Sequence, residues 1–539
     1  MKNTLEVKNV TVRYKKQIGI KEASFCAKEG EIVGFIGADG AGKSSLIHAI
    51  AAVKGFEGEI VYDQTVYRSP KEARHLKNKI ALMPQGIGLV LYETLTVSEH
   101  LDFFANIRNI RHNDSFAAYK EKLLHMAGLS DFKHREAGKL SGGMMQKLSL
   151  ICTLIHRPKL LLLDEPTTGV DPLSRRELWE ILRDIAKAEG SIIIISTAYM
   201  QEAAKMDKIL LFDKAEIIAK GSARELISSV ERFTYERSRR CEDECVTFGE
   251  RSYSLKPLKQ KHKPPTLEAL FFVNALKKRQ TLPQIKIAKR QSGLKIPDIV
   301  MQAEGITKRF GNFIANDQID LKLKSAEIVG LLGANGAGKS TFIKILLGLY
   351  PMDEGELYLL SKPILSGKDR QDLKDKIGYV SQHFALYKDM TVRENLRYFA
   401  NMHKISSQQA AKRIDEYAKA LGFSEFLDVM PTQLPLGINQ RFCFTAALLH
   451  EPVVLFLDEP TSGVDTIARA QFWQILRSLV KEWGISILIT THYMSEAEYC
   501  DRVVLLKDGK KVADEKVEVL HKLHPDAKSF EDIFLEYYR

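Results

Sequence analysis

Gly333-Ala334-Asn335-Gly336-Ala337-Gly338-Lys339-Ser340 follows the apolar run Ile328-Val329-Gly330-Leu331-Leu332 and opens the helical pattern Thr341-Phe342-Ile343-Lys344-Ile345-Leu346-Leu347. Glycines at these spacings let successive backbone N–H groups converge on an anion, and the helix that follows adds the positive end of its dipole. Lys339 supplies a mobile charge for the outer phosphates, and Ser340 offers a hydroxyl to Mg²⁺. A strand, a cradle and a helix in this order read as a nucleotide-phosphate site. The same order occurs earlier, where Gly37-Ala38-Asp39-Gly40-Ala41-Gly42-Lys43-Ser44 follows Glu31-Ile32-Val33-Gly34-Phe35-Ile36. With Ser45 and Thr341 as the next helical residues, these two loops are the candidate nucleotide-phosphate cradles.

Their spacing exposes a duplication. Lys43 and Lys339 are 296 residues apart, Gln85 and Gln382 297, and both Asp164/Asp458 and Asp171/Asp465 294. A nearly constant offset means two copies of one domain. Thr96-Val97-Ser98-Glu99-His100-Leu101 returns as Thr391-Val392-Arg393-Glu394-Asn395-Leu396, and Thr266-Leu267-Glu268-Ala269-Leu270-Phe271 as Ser529-Phe530-Glu531-Asp532-Ile533-Phe534. The expected domains are therefore 1–274 and 299–539. The linker between them, 275–298, holds seven basic residues (Lys277, Lys278, Arg279, Lys286, Lys289, Arg290, Lys295) and no acidic one from Ala275 to Pro297. It reads as a solvated tether, with a membrane-surface or RNA contact as the alternative.

Short apolar runs beside glycine or carboxylate punctuation alternate with amphipathic stretches, which predicts an α/β fold on a mostly parallel sheet in each copy. Residues 93–137 and 387–431 read as an inserted helical subdomain, with Leu101, Phe104, Ala105 and Ile107 on one helix face.

At 539 residues the chain can bury a full core in each copy, and its 45% apolar and 27% charged residues are the balance of a soluble globular protein. No apolar run approaches the ~18 residues needed to span a bilayer. Ser191-Ile192-Ile193-Ile194-Ile195 is expected to be a buried parallel strand instead. Met1-Lys2-Asn3-Thr4-Leu5-Glu6 lacks the apolar core of a secretory signal, so a cytoplasmic location is expected. Six scattered cysteines suggest reduced thiols, and the pair Cys241/Cys245 lacks the neighbours a metal site needs. The net charge of +11 permits an anionic surface as partner without demanding one.

Each copy also has an apolar strand ending in two carboxylates: Leu160-Leu161-Leu162-Leu163-Asp164-Glu165 and Val453-Val454-Leu455-Phe456-Leu457-Asp458-Glu459. Downstream of a phosphate loop, Asp164 and Asp458 suit the holding of Mg²⁺ through water. Glu165 and Glu459 suit polarisation of the attacking water. Leu140-Ser141-Gly142-Gly143-Met144-Met145-Gln146-Lys147 opens a further helix.

With these residues the chain resembles the nucleotide-binding subunits of ATP-binding cassette (ABC) transporters over nearly its whole length apart from the linker. The resemblance implies two P-loop NTPase domains, ATP and Mg²⁺ as cofactors, and two ATP per chain. It places Gln85 and Gln382 in Q-loops at the metal, and Ser141, Gly142 and Gly143 in a signature that caps the nucleotide of the opposite domain. Asp171 and Asp465 fall in D-loops, and His492 becomes the switch histidine. Tyr14 and Phe310, each 23 residues before its loop, stand where the family stacks adenine; the alternative is a strand residue packed into the core. The segments Asp458-Glu459-Pro460-Thr461-Ser462-Gly463-Val464-Asp465 and Thr491-His492-Tyr493-Met494-Ser495-Glu496-Ala497 look like the drug-export or ABC-2 branch. That branch implies separate integral membrane permease subunits, a peripheral place on the inner face of the cell membrane, and no nucleic acid partner. A soluble ribosome-associated translation factor and a tandem sugar-importer ATPase are the alternatives.

The copies differ at two places. The second signature reads Leu434-Pro435-Leu436-Gly437, so Pro435 removes a hydroxyl and an N–H, and Leu436 adds bulk where glycine allows close approach. In the first copy Ala198 stands 294 residues before His492. If the domains pair head to tail as the family does, both losses fall on the site of Lys43, Asp164 and Glu165. The site of Lys339, Ser340, Gln382, Asp458, Glu459 and His492 faces the intact Ser141-Gly142-Gly143.

Overall fold

The computed structural model describes residues 4–538 apart from Lys16, Asp39, 87–90, Gly169, 239–244, 249–250, 279–295, 365–368, 370–373, 382–385, Pro435, Ser462, Gly463, Asp465, His492, Lys528 and the side chain of Leu436. Asp39, Gln382, Pro435, Asp465 and His492 therefore lie outside the described residues. The chain divides into two compact units, Met1–Thr281 and Leu282–Arg539.

In the first unit β1 (Thr4–Tyr14), β2 (Gln17–Lys28), β4 (Glu57–Tyr62) and β5 (Thr65–Tyr67) form an antiparallel sheet in the order β2-β1-β4-β5. β3 (Ile32–Gly37), β6 (Ile80–Met83), β7 (Leu160–Asp164), β8 (Ile192–Thr197), β9 (Lys208–Asp213) and β10 (Glu216–Gly221) form the central sheet, ordered β10-β9-β3-β8-β7-β6. It is parallel except for the β9/β10 edge. Helix α1 (Lys43–Ile50) leaves the phosphate loop, α2 (Val97–Ile107) and α3 (Asp114–Met126) form the inserted helical part, and α4 (Gly142–Leu154) and α5 (Pro172–Glu189) flank β7 in the chain. Then come α6 (Ala223–Ser228), a small antiparallel sheet of β11 (Thr234–Glu236), β12 (Cys245–Phe248) and β13 (Arg251–Ser254), and α7 (Ala269–Lys277). Helix α7 runs three residues past the boundary expected at 274, and Lys278 pairs with Asp213 and Glu216 at 3.7 Å. The expectation of reduced thiols is corrected at Cys245, which is disulfide-bonded. Cys26, Cys152, Cys443 and Cys500 carry free thiols, and Cys241 lies outside the described residues.

The second unit repeats the plan. β14 (Ile299–Phe310), β15 (Phe313–Lys324), β17 (Glu354–Leu359) and β18 (Lys362–Pro363) form the antiparallel sheet. β16 (Ile328–Gly333), β19 (Ile377–Val380), β20 (Val454–Asp458), β21 (Ser486–Thr490), β22 (Arg502–Lys507) and β23 (Lys510–Lys516) form the central one, ordered β19-β20-β21-β16-β22-β23. Its helices are α8 (Lys339–Leu346), α9 (Val392–Met402), α10 (Ser407–Leu421), α11 (Leu436–Leu448), α12 (Thr466–Trp483), α13 (Met494–Ala497), α14 (Val517–Leu523) and α15 (Phe530–Tyr538).

Successive side chains on a strand point to opposite faces, so a sheet covered on both sides needs apolar residues at every position. Leu455, Ile487 and Leu505 pack with Phe442, Phe472 and Leu476 of α11 and α12. Their neighbours Phe456, Leu488 and Val504 pack with Phe342 and Ile345 of α8 and with Val300 and Leu321 of the antiparallel sheet. Burying each such side chain contributes about 1.5–3 kcal/mol.

The repeated Thr-Val-x-Glu motif is a helix start. Thr96 and Thr391 cap α2 and α9, each in a reciprocal capping box with Glu99 or Glu394, worth about 1 kcal/mol. The expected apolar face of α2 is corrected at Ile107, which is 57% exposed. The buried face is Val97, His100, Leu101 and Ala105, matched by Val392, Asn395, Leu396 and Ala400. At 100° per residue, Ile107 lies well round the helix from Leu101.

Candidate active site

Each phosphate loop leaves the C-terminal end of a central strand and ends where a helix begins, at Lys43 in α1 and Lys339 in α8. Gly338 has φ +94°, and a Cβ there would sit 2.3 Å from the Ala315 carbonyl oxygen. At Gly42 (φ +107°) a Cβ would lie 2.4 Å from the Gly19 carbonyl oxygen. Only glycine fits either position. Lys339 is buried, and its Nζ donates to the Gly333 and Ala334 carbonyls at 2.8 and 2.9 Å; Lys43 does the same to Gly37 and Ala38. Ser340 and Gly336 are exposed, Asn335, Thr341 and Ser44 half-buried, and Ala337, Ala41 and Ser45 buried. Ala334 donates its N–H to the Tyr538 hydroxyl at 2.7 Å.

Beside each loop lie the two carboxylates at the end of the neighbouring apolar strand. Asp164 and Asp458 are buried, and Glu165 and Glu459 follow with φ near +52° and +51°, a backbone region costly for residues with a Cβ. In the first unit Gln85 Nε2 donates to Glu165 Oε2 at 2.9 Å, Thr168 Oγ1 donates to the same oxygen at 3.2 Å, and Lys43 Nζ lies 3.4 Å from Oε1. The structure thus gathers Lys43, Gln85, Asp164 and Glu165 into one cluster.

Tyr14 and Phe310 sit at the ends of β1 and β14 with 41% and 48% of their surface exposed, so neither ring is packed into the core. The Tyr14 hydroxyl lies 3.3 Å from Ser45 Oγ, and Lys54 Nζ is 4.2 Å from its ring centre. Ser141 caps α4 by accepting the Met144 N–H. A Cβ on Gly143 would meet Ser174 Oγ at 2.6 Å, so glycine lets α4 begin against the start of α5, which Asp171 caps. Ala198 is buried beyond the end of β8.

Sequence reasoning missed a second, buried layer. Glu202 accepts from Thr167 Oγ1 (3.1 Å) and Trp179 Nε1 (3.0 Å) and lies 3.8 Å from Arg175, whose other nitrogen donates to the Val170 carbonyl just before Asp171. In the second unit Glu496 Oε2 accepts from Thr461 Oγ1 (2.9 Å) and Thr491 Oγ1 (2.6 Å). Burial pushes the Glu496 carboxyl above the usual range. These carboxylates tie the segment after each strand-end pair to the segment around residues 198 and 492. The offset of 294 was the available signal, since it also pairs Thr167 with Thr461, Arg175 with Arg469, Trp179 with Trp473 and Glu202 with Glu496.

The donors at each loop suit their expected ligands: a lysine and inward-turning amides for phosphate, and a serine hydroxyl with an aspartate, hard oxygens, for Mg²⁺. The family described as ABC transporter matches residues 20–168 and 316–462. The probable multidrug ABC transporter ATP-binding protein YbhF of Escherichia coli K12 is 35% identical over 524 residues, covering 90% of this chain and 88% of that protein. A putative ABC transporter ATP-binding protein of Bacillus cereus is 28% identical over 92% of this chain and 88% of its own length. Among solved structures, the archaeal ribosome recycling factor aABCE1, in complex with the ribosomal stalk protein aP1, aligns with a TM-score of 0.61 at 19% identity over 96% of this chain and 92% of that one, a likeness of fold. Matched in both halves and along nearly its whole length, this chain belongs to the ABC transporter family as an ATP-binding subunit carrying two ATPase cassettes in one polypeptide.

Proposed function

We propose that the chain is the motor of an exporter, in which the second site hydrolyses ATP and the first mainly holds it. The carrying observation is that the two departures from the family pattern, Pro435-Leu436 and Ala198, converge on one site if the cassettes pair head to tail. Each ATP then lies between the phosphate loop of one cassette and the signature of the other. At the second site Lys339 and the loop amides bind phosphate, Ser340, Gln382 and Asp458 hold Mg²⁺, Glu459 polarises the attacking water, and His492 and Ser141 face the outer phosphate. Mg²⁺, when bound, neutralises phosphate charge. Losing one transition-state donor costs about 10²- to 10³-fold in rate, so a site lacking two turns over slowly at best. Glu165 still allows it some turnover.

Among the described residues no helix is long and apolar enough to cross a membrane. We assign the membrane span to separate permease subunits of ABC-2 type, which places this chain on the inner face of the cell membrane. Aromatics following each Q-loop, exposed Tyr92 against half-buried Phe103 and exposed Tyr387 against exposed Tyr398, support a docking face for a permease helix there. The name of the multidrug relative supports export. The test is ATPase activity of Glu459→Gln and Glu165→Gln in the assembled complex. Loss confined to the first variant is expected, and equal losses would defeat the asymmetry. Copurification with ribosomes instead of membrane proteins would defeat the transport reading.

A further inference from the structure

Thr490 closes β21 directly opposite Asp458, as Ser196 on β8 stands opposite Asp164. Thr490 Oγ1 donates to Asp458 Oδ1 at 2.7 Å and accepts the Glu459 N–H at 3.0 Å. Ser196 Oγ donates to Asp164 Oδ1 at 2.5 Å and accepts the Glu165 N–H at 2.8 Å. A hydroxyl has one donor and two acceptor lone pairs, so a single oxygen makes both bonds at once. Both side chains are fully buried, so each acts only through its neighbours.

We propose that Thr490 is a positioning residue for ATP hydrolysis, its hydroxyl aiming the Mg²⁺-binding carboxylate of Asp458 while holding the backbone of Glu459 in the turn that presents its side chain. The donated bond sets the rotation of the Asp458 carboxylate. The accepted bond shares the Glu459 N–H with the Thr490 carbonyl, 3.1 Å away, and adds a side-chain hold on a residue at φ +51°, a conformation that a residue with a Cβ keeps only when its surroundings enforce it. The two copies differ by one methyl group at this position and keep the oxygen, which is the atom both pairs of bonds require. The inference rests on the second site being the hydrolysing one.

Thr490→Val and Thr490→Ser in the full chain separate positioning from packing. Valine keeps the volume and loses the hydroxyl, while serine does the reverse. Ligand-orienting partners of this kind are worth about 10- to 100-fold in metal affinity or activity, so Thr490→Val should lower kcat by that factor with KM for ATP nearly unchanged. In electron paramagnetic resonance titrations with a non-hydrolysable ATP analogue, the same variant should weaken Mn²⁺ at one of the two sites. Thr490→Ser should keep both properties close to the parent. A packing role gives the opposite order, with serine the more damaging. Thr490→Ala, which also lacks the hydroxyl, replaces valine if that variant does not fold. Parental kcat and Mn²⁺ affinity in Thr490→Val would overturn the proposal while Glu459→Gln remained inactive. Full activity in Glu459→Gln would instead remove the functional reading, and the Mn²⁺ titration would still report on Thr490.

Discussion

The hydroxyl of Tyr538, on the last helix, accepts the backbone N–H of Ala334 in the second phosphate loop at 2.7 Å. It also donates to the carbonyl of Leu506, the ladder partner of Gly333, so one side chain bridges two strand ends at the mouth of the cradle. In the first copy the aligned residue of the repeated helix is Ala275, which has no hydroxyl to offer. Tyr538→Phe keeps the ring stacked on Phe534, 4.5 Å away, and removes only the bridge. Losing such a bond costs about 1 kcal/mol, so nucleotide titration should show affinity at the second site falling several-fold while that of the first is unchanged.

Two glycines of the same loop should respond differently to alanine. At Gly336 (φ +85°) a Cβ meets nothing within 4 Å, so Gly336→Ala carries only the backbone cost of about 1–2 kcal/mol. At Gly338 the added Cβ collides with the Ala315 carbonyl and the Asn316 side chain, so the loop must move. Denaturant unfolding should show at least about 3 kcal/mol lost in Gly338→Ala, and ATP binding at that loop should disappear.

If the first site is the slow one proposed above, its turnover should be recoverable. If the cassettes pair head to tail as proposed, Ala198→His together with Pro435→Ser and Leu436→Gly in a Glu459→Gln background restores the missing donors at the first site, where Gln85, Thr168 and Lys43 already surround Glu165. ATPase activity should rise about 10- to 100-fold over Glu459→Gln alone. An unchanged rate would show that these positions are not what limits the first site.

Acid should destabilise both units through two half-buried histidines at equivalent positions. Burial pushes His156 down to about 4, helped by the charge of Arg108. His450 is likewise pushed down to about 4 by burial, with His403 stacked on it at 3.8 Å and Arg413 nearby, against an opposing pull from Asp375. Unfolded histidine titrates near 6.5, so between about pH 6.5 and 4 the unfolded chain binds more protons than the folded one. Stability present above pH 6.5 is therefore lost as pH falls toward 4. Urea midpoints across this window should drop less steeply in a His156→Gln, His450→Gln double variant than in the parent.

Local order along the chain was enough to read two α/β cassettes, glycine loops set between a strand and a helix, and apolar strands ending in paired carboxylates. Each of those features is set by neighbours within about ten residues, through backbone dihedrals and side-chain period, and each appears twice at one offset. The same local reading misjudged Ile107 and Cys245. A face on a short helix depends on what covers it, and a thiol's state depends on what lies beside it in space.

Tertiary structure alone decided which polar residues serve the site from behind. Ser196 and Thr490 look like ordinary strand ends, Glu202 and Glu496 like ordinary helix residues, and Tyr538 lies 204 residues from the Ala334 N–H it accepts. A hydrogen bond between strands needs register, and a buried carboxylate needs donors arriving from separate segments. Both are products of how the sheet and helices pack; the constant offset marks these residues as repeated pairs without showing what they bond.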